Sequence, residues 1–420
     1  MAIGYACLTI GVKNCGLKGL TLKNATKDRL REVAAHNLEA LENMIDYNIS
    51  NGIGLFRISS DIIPFASHEV NTLEWWSIYG EQLKRIGEKI KSSGMRVSMH
   101  PGQYTVLNSP DEDIVARAKN DLLYHTRLLD SLGTDSSNKV ILHVGGIYGN
   151  KTEAIKRFME NYADLPEAIK NRLVIENDEK SYNIADVLEV GRKCKIPVVF
   201  DNLHHEINLP DKAELTHGAW IGLCKETWRP EDGRQKMHYS QQLENGKSGA
   251  HSKTIAIRPF MDFYEEVNGR DIDIMLEVKD KNISALKCHN CTSAGMGRKQ
   301  LEEEWERYKY LVLERSNDVY MEVENMFKEK SEINAASLYS KIEAALSLAE
   351  DRESAASAAH EIWSLLKKAA KPVERKRFEA LLSGYEAGTK ALRDVKKYLA
   401  VLAERYEADY LLESYYLVEY

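Results

Sequence analysis

Five short apolar runs in this chain end in a residue of metal-ligand type. They are Val97-Ser98-Met99-His100, Val140-Ile141-Leu142-His143, Leu173-Val174-Ile175-Glu176, Val198-Val199-Phe200-Asp201 and Ile274-Met275-Leu276-Glu277. Further histidines extend the set. His204 follows Asp201 by three residues, a spacing that lets both reach one ion, and His238 sits on a run of its own. His251 follows in a Gly-rich polar loop, while His68 closes Pro64-Phe65-Ala66-Ser67-His68. Mixed imidazole and carboxylate donors suit Mn²⁺, Zn²⁺ or Fe²⁺ better than Mg²⁺ or Ca²⁺. A set this large predicts two or three divalent ions, with Mn²⁺ the first expectation and Zn²⁺ the alternative. Such ions lower the pKa of bound water and clamp both the attacking and leaving oxygens of a phosphate ester.

The elements that must hold these residues are legible from the same runs. Near-continuous apolar runs are the mark of parallel strands buried on both faces, and α/β enzymes place their chemistry at the C-terminal ends of such strands. Eight strands are expected, at about 3–10, 55–59, 96–100, 139–144, 173–177, 197–202, 235–240 and 273–279. Helical spacing fills the gaps at 27–48, 73–92, 111–132, 151–170 and 183–194, and less clearly at 211–227. Eight strands alternating with helices predict an α/β fold, the closed (β/α)8 TIM barrel. A doubly wound open sheet would draw ligands from one or two loops, whereas here nearly every strand end contributes one.

From about residue 297 the pattern changes. Proline occurs once, at Pro372, and Glu, Lys, Ala and Leu dominate, which favours helix. Helices are expected at 302–330, 334–349, 353–370 and 374–409. The chain thus divides into a barrel over 1–296 and an all-helical C-terminal extension over 297–420. Residues 301–420 hold 24 acidic and 18 basic residues, leaving 40 and 39 for residues 1–300. Several of those 40 acids belong to the ligand set, so a near-neutral barrel is compatible with a basic mouth. No apolar run is long enough to span a bilayer, and the first residues lack the basic stretch and long apolar core of a signal peptide. A cytoplasmic location is therefore expected. Six cysteines show no disulfide framework, and Cys288-His289-Asn290-Cys291 lacks the second pair that a zinc site would need, so free thiols are expected. No glycine precedes Gly246-Lys247-Ser248 at the spacing of a P-loop.

Two residues in the mouth are of unexpected type. Lys236 lies two positions before His238 and so faces the same side of its strand. A cation among metal ligands is costly unless it is modified or paired with acid. Tyr104, in the loop His100-Pro101-Gly102-Gln103-Tyr104, could stack on a base or pack against the rim.

Taken together, the motifs resemble those of the UV damage endonuclease family, a barrel related in architecture to endonuclease IV. They are Phe56-Arg57-Ile58-Ser59-Ser60 with Pro64–His68, His100–Tyr104, His143–Gly149, Glu176-Asn177-Asp178-Glu179, Val199–His205, Lys236-Met237-His238 and Glu277-Val278-Lys279. The resemblance covers about residues 1–290. It implies a metal-dependent DNA repair enzyme, nucleoid-associated when acting. Such an enzyme nicks double-stranded DNA immediately 5′ of cyclobutane pyrimidine dimers, 6-4 photoproducts and some abasic sites, leaving a 3′ hydroxyl and a 5′ phosphate. The implied ligands are His68, His100, His143, Glu176, Asp201, His204, His238, His251 and Glu277. Lys236 matches a lysine that can become a carboxylated ligand. With it, His143, Glu176 and Glu277 are the implied catalytic group. Gln103 and Tyr104 match a pair that probes DNA, and Tyr5 matches an N-terminal tyrosine assigned to the same task. The resemblance is silent on the extension, where a surface for a repair partner and a plain stabilising appendage are both open. Two other readings compete with it. One is a sugar isomerase or epimerase on a similar barrel, though such sites rely mainly on carboxylates. The other is a damaged-DNA sensor whose metals only shape the surface.

Overall fold

The computed structural model describes residues 1–211, 215–267, 270–293, 297–329 and 331–418. Two compact units emerge. One comprises Met1–Thr9, Asn14–Ile255 and Asp262–Leu286; the other comprises Ile10–Lys13, Ala256–Met261 and Lys287–Tyr420. The expected boundary between residues 296 and 297 touches 294–296, which lie outside the described residues, as do 212–214 of the expected helix 211–227 and residue 330 at the end of another.

The first unit is the expected barrel. Its strands are β1 (Ile3–Ala6), β2 (Leu55–Ile58), β3 (Arg96–Met99), β4 (Val140–His143), β5 (Leu173–Glu176), β6 (Val198–Asp201), β7 (Gln235–Tyr239) and β8 (Ile272–Leu276). They pair in parallel and in sequence order, and β8 closes on β1 through Ile3↔Ile274 and Tyr5↔Leu276. Nearly every strand residue is buried, which is why the runs read as continuously apolar. β1 ends four residues short of the expected Ile10, and Glu277 lies one residue beyond β8.

The helices begin where short polar side chains can cap them. Thr26 caps Lys27–Ser50, Asp111 caps Glu112–Ser131, and Asn183 with Asp186 forms a reciprocal box at the start of Ile184–Cys194. Two helices not anticipated, Ile257–Val267 and Asn282–Thr292, complete the set near the C-terminal end of the barrel sequence.

The N-terminal end of the barrel is held by buried ion pairs. Lys139 Nζ lies 2.6 Å from Asp232 Oδ1, and Arg96 Nη1 lies 2.7 Å from Asp273 Oδ2. Arg172 donates to Asp130 and to the carbonyls of Asp135 and Asn138. The charges at this end are thus paired within the protein, although Arg96 Nε is buried without a partner, and the opposite end is left for chemistry.

The second unit is helical: Arg298–Leu313, Asn317–Lys328, Ala335–Leu346, Arg352–Leu366, Pro372–Glu386 and Leu392–Arg405, followed by short turns. Ala355, Ala359, Ile362, Trp363, Phe378, Leu382, Leu399 and Leu402 form its core, with Trp363 stacked on Phe378 at 4.3 Å. The single helix expected over 374–409 is broken. Gly388 takes φ +75°, a left-handed conformation that ends one helix before the next begins at Leu392.

Candidate metal centre

Glu176, the last residue of β5, is the hub of the barrel mouth. It is fully buried, and its carboxylate lies 2.7 Å from His238 Nδ1, 3.2 Å from His100 Nε2, 3.7 Å from His204 Nδ1 and 3.9 Å from His143 Nε2. Burial pushes this carboxyl up, but His238 and the hydrogen bonds from His100 and His238 hold it well below the usual carboxylate range. Two groups of donor atoms overlap at it. The donors of His100, His143 and Glu176 lie within 4.8 Å of one another, and so do those of Glu176, Asp201, His238 and Glu277.

Asp201 explains the spacing to His204. It ends β6 and caps the helical turn Asn202–Ile207, where Oδ1 accepts the His204 N–H at 2.8 Å. The imidazole is thereby placed on the first turn beyond the strand, 3.7 Å from Asp201 Oδ1. The other oxygen, Oδ2, is buried with no hydrogen-bond partner, as is Nδ1 of His143. Burial pushes the Asp201 carboxyl up to about 7. Burial disfavours the His204 imidazolium, yet Asp201, Glu176 and Glu277 carry it up to about 9. The carboxylates therefore create a negative potential strong enough to overcome desolvation of a cation in their midst. His251 borders the group, with Nε2 3.7 Å from Glu277 Oε2.

Backbone carbonyls fix the imidazoles. A carbonyl can only accept, so Nδ1 of His100, 3.0 Å from the Pro101 oxygen, carries its proton, and so does Nδ1 of His204, 3.0 Å from the Asn177 oxygen. Nε2 of His100 then faces the Glu176 carboxylate at 3.2 Å. In a neutral imidazole both of these atoms are acceptors, so the contact calls for a second proton or a metal ion. The unpartnered donor atoms, this contact and the donor chemistry all fit a divalent ion of the borderline class.

Not every expected residue joins the cluster. His68 is exposed on the loop after β2, its Nδ1 accepts the Val70 N–H at 3.1 Å, and it belongs to neither group. Lys236 does face the barrel interior but one layer deeper than His238. It is fully buried, and its Nζ has no hydrogen-bond partner. Burial, reinforced by Arg96 and Arg57, pushes its ammonium well below the ordinary lysine value. Tyr5 requires a correction. It points outward from β1 and is fully buried against Phe56. Its hydroxyl is satisfied by Thr9 at 2.5 Å and Asn48 at 2.8 Å, so it offers no face to DNA. Gln103 and Tyr104 are exposed as expected, Tyr104 by 72%.

Sequence reasoning gives Arg57 no role. In the structure its Nη2 lies 2.7 Å from Glu277 Oε1 and 2.8 Å from His238 Nε2, and it is the guanidinium of the mouth. A charged residue inside the buried strand Leu55–Ile58 is the signal that could have found it. Asp121 escapes sequence reasoning too. From the helix Glu112–Ser131 it accepts from Thr105 at 2.6 Å and from Ser67 at 2.8 Å, and so ties the loop of Gln103 and Tyr104 to the loop of His68. Among the described residues, Cys288 and Cys291 are in no disulfide and belong to no metal-type group.

Fold and site define a (β/α)8 barrel with imidazoles and carboxylates converging at its C-terminal mouth. Residues 1–294 match the family model described as UV-endonuclease UvdE, and the chain belongs to that family. Residues 309–420 match a second model, described as a protein of unknown function (DUF1722). The UV DNA damage endonuclease of Clostridium perfringens (strain 13 / Type A) is 43% identical over 333 residues, covering 78% of this chain and 80% of that protein. The enzyme of the same name from Bacillus cereus (strain ATCC 10987 / NRS 248) is 34% identical over 312 residues, 72% of this chain and 97% of its own. Among solved structures, the crystal structure of SacUVDE superposes with a TM-score of 0.65 at 40% identity, over 69% of this chain and 96% of that one.

Proposed function

We propose that the barrel is a metal-dependent DNA repair endonuclease that nicks duplex DNA immediately 5′ of cyclobutane pyrimidine dimers, 6-4 photoproducts and some abasic sites. One water is consumed: its hydroxide bonds to phosphorus, the P–O3′ bond breaks, and the 3′ oxygen leaves and takes up the proton. The products are a 3′ hydroxyl and a 5′ phosphate. The observation that carries this reading is Glu176 shared between two groups of metal-type donors at one barrel mouth, in a chain of the UV-endonuclease family.

His100 and His143 with Glu176 would hold one divalent ion, and Asp201, His238 and Glu277 with Glu176 another. His204 and His251 border these groups; the His68 Nδ1 accepts the Val70 N–H, so Nε2 carries the proton of the neutral ring and His68 would give up that hydrogen bond to ligate, and all three remain in the proposed ligand set. Lys236 is proposed to act as its carboxylated form, which replaces a repelled ammonium by an anion. Mn²⁺ is the ion favoured, with Zn²⁺ second. Such ions supply an activated water and neutralise charge on the phosphate oxygens. The chain's own residues do the rest. The Pro101 and Asn177 carbonyls set the tautomers of His100 and His204, and Arg57 orients the Glu277 carboxylate. Gln103 and Tyr104 enter the duplex at the lesion, where weakened stacking lowers the cost of opening it.

The test is nicking of a UV-irradiated supercoiled plasmid against an unirradiated control, with Mn²⁺ and with chelator. Glu277→Gln is expected to abolish nicking while the fold persists, a loss on the order of several kcal/mol of transition-state stabilisation. Parental activity in Glu277→Gln, or nicking undiminished by chelator, would overturn the metal assignment.

A further inference from the structure

Charge in the C-terminal helical unit is segregated. Residues 367–405 contain 11 Lys and Arg against 5 Asp and Glu, whereas the remainder of residues 301–420 contains 7 against 19. The basic stretch folds into the helices Pro372–Glu386 and Leu392–Arg405, which enclose a cleft of about 670 Å³. Lys371, Arg377, Lys390, Lys397 and Arg405 line it, and all five are exposed. Two carboxylates share the lining. Glu374 is already engaged by Arg405 and by the Tyr406 hydroxyl, which leaves Asp394 as the other acid. Val373 and Val401, exposed by 70% and 48%, add an apolar strip beside the cations.

We propose that this cleft binds the phosphate backbone of double-stranded DNA, independently of damage. The cations run from Lys390 to Arg405 on one side, about 20 Å at the rise of a helix. A single phosphate cannot engage charges spread over that length, whereas a duplex carries one negative charge per about 1.7 Å of axis. The apolar strip suits sugar edges between phosphates. Placed on the same chain as the barrel, the cleft would raise the local concentration of duplex and lengthen the residence of the protein on DNA between lesions. The remainder of residues 301–420, acidic in sum, offers a duplex no comparable attraction.

The experiment measures binding of the full-length protein to an undamaged labelled duplex of about 30 bp, long enough to span the cleft, across a salt series; its outcome does not depend on lesion recognition or nicking. Lys390→Gln/Lys397→Gln is compared with Lys299→Gln/Lys328→Gln, which removes the same charge elsewhere in the unit. Leaving one phosphate without its cation costs up to about 0.9 of a decade at about 0.1 M salt, so the cleft variant is expected to bind between about three- and sixtyfold more weakly, with a shallower salt slope by about one to two. The control variant should bind within about twofold of the parent, and Lys390→Arg/Lys397→Arg should restore affinity because it restores the charge. The arginine variant also guards against misfolding, since it must retain parental binding and circular dichroism. Equal weakening in the cleft and control variants would reduce the effect to net charge and overturn the proposal. So would parental binding by the cleft variant, or competition by polyglutamate with no binding of duplex, which would make the cleft a site for acidic peptide.

Discussion

Lys236→Met separates two accounts of the barrel interior by the sign of one stability change. Lys236 is fully buried, its Nζ has no hydrogen-bond partner, and its charged neighbours include Arg96, Arg57 and Lys139 against Asp273. In chelated protein the side chain is unmodified, and desolvation of an ammonium costs several kcal/mol. Replacing such a charge by an apolar side chain of similar length is expected to stabilise the fold by about 1–4 kcal/mol. At about 2–4 °C per kcal/mol for a domain of this class, Tm should rise between about 2 and 15 °C. The pH dependence has a definite sign. The folded state disfavours the proton and the unfolded chain takes it up, so the parent's deficit is largest at low pH and fades as pH rises toward the ordinary lysine value of about 10.4. With Mn²⁺ and bicarbonate the order should reverse. The neutral amine adds CO2 and releases a proton, the resulting carbamate ligates, and ions bound at about a thousandfold over Kd add about 4 kcal/mol that the Met variant largely forgoes. The assay is thermal unfolding with chelator and with Mn²⁺, alongside metal content by mass spectrometry. A Met variant no more stable than the parent in chelator, and with parental metal content when loaded, would refute both the buried-charge and the ligand arguments.

Three further outcomes are expected. Tyr104→Ala should weaken binding to dimer-containing duplex by about 1–3 kcal/mol, with metal content unchanged and a smaller effect on an abasic duplex, as read by fluorescence anisotropy. Asp121→Ala removes the acceptor of Thr105 and Ser67, should cost about 1–3 kcal/mol in denaturant unfolding, and should be non-additive with Tyr104→Ala in the binding assay. Because burial pushes Asp201 up to about 7, protons compete with ions for its carboxylate: metal retained after dialysis should rise steeply from about pH 5.5 to 7 and level off above, and a flat profile would count against Asp201 as a ligand.

The fold was legible because a parallel barrel imposes continuous apolar runs, and all eight strands lie where those runs lie. Helix breaks were less legible. The expected helix 374–409 breaks after Glu386, where Gly388 turns the backbone left-handed, a choice that glycine permits but does not announce. The convergence of the strand-end residues was readable because His100, His143, Glu176, Asp201 and Glu277 all stand at the C-terminal ends of parallel strands, where a barrel gathers its side chains. Loop residues were not: His68 ends a turn whose direction depends on Asp121, 53 positions away, so no local pattern specifies whether it joins the cluster. Tyr5, assigned to DNA by the resemblance, is buried in the structure, and its position was illegible for a related reason. Alternation on β1 decides its face, and Gly4 and Ala6, the inward residues, are too small for their side to be recognised as the interior.

The charges of the two ends of the barrel are arranged differently. Glu176, Asp201 and Glu277 converge, Arg57 pairs with Glu277, and the imidazole of His204 is drawn into protonation by the excess. Of the three anions burial prevails only against Asp201, whereas His238 and Arg57 hold Glu176 and Glu277 below the ordinary carboxylate range, so removing Asp201 would relieve a buried charge and removing either glutamate would leave cations unpaired. At the opposite end Lys139 meets Asp232, Arg96 meets Asp273, and Arg172 saturates carbonyls, each cation with its own acceptor. The mouth therefore holds three carboxylates with the donor chemistry of a metal centre, while the other end pairs its charges one by one. Divalent ions at the two donor groups of the proposed centre would add positive charge beside Asp201 and favour its ionised form.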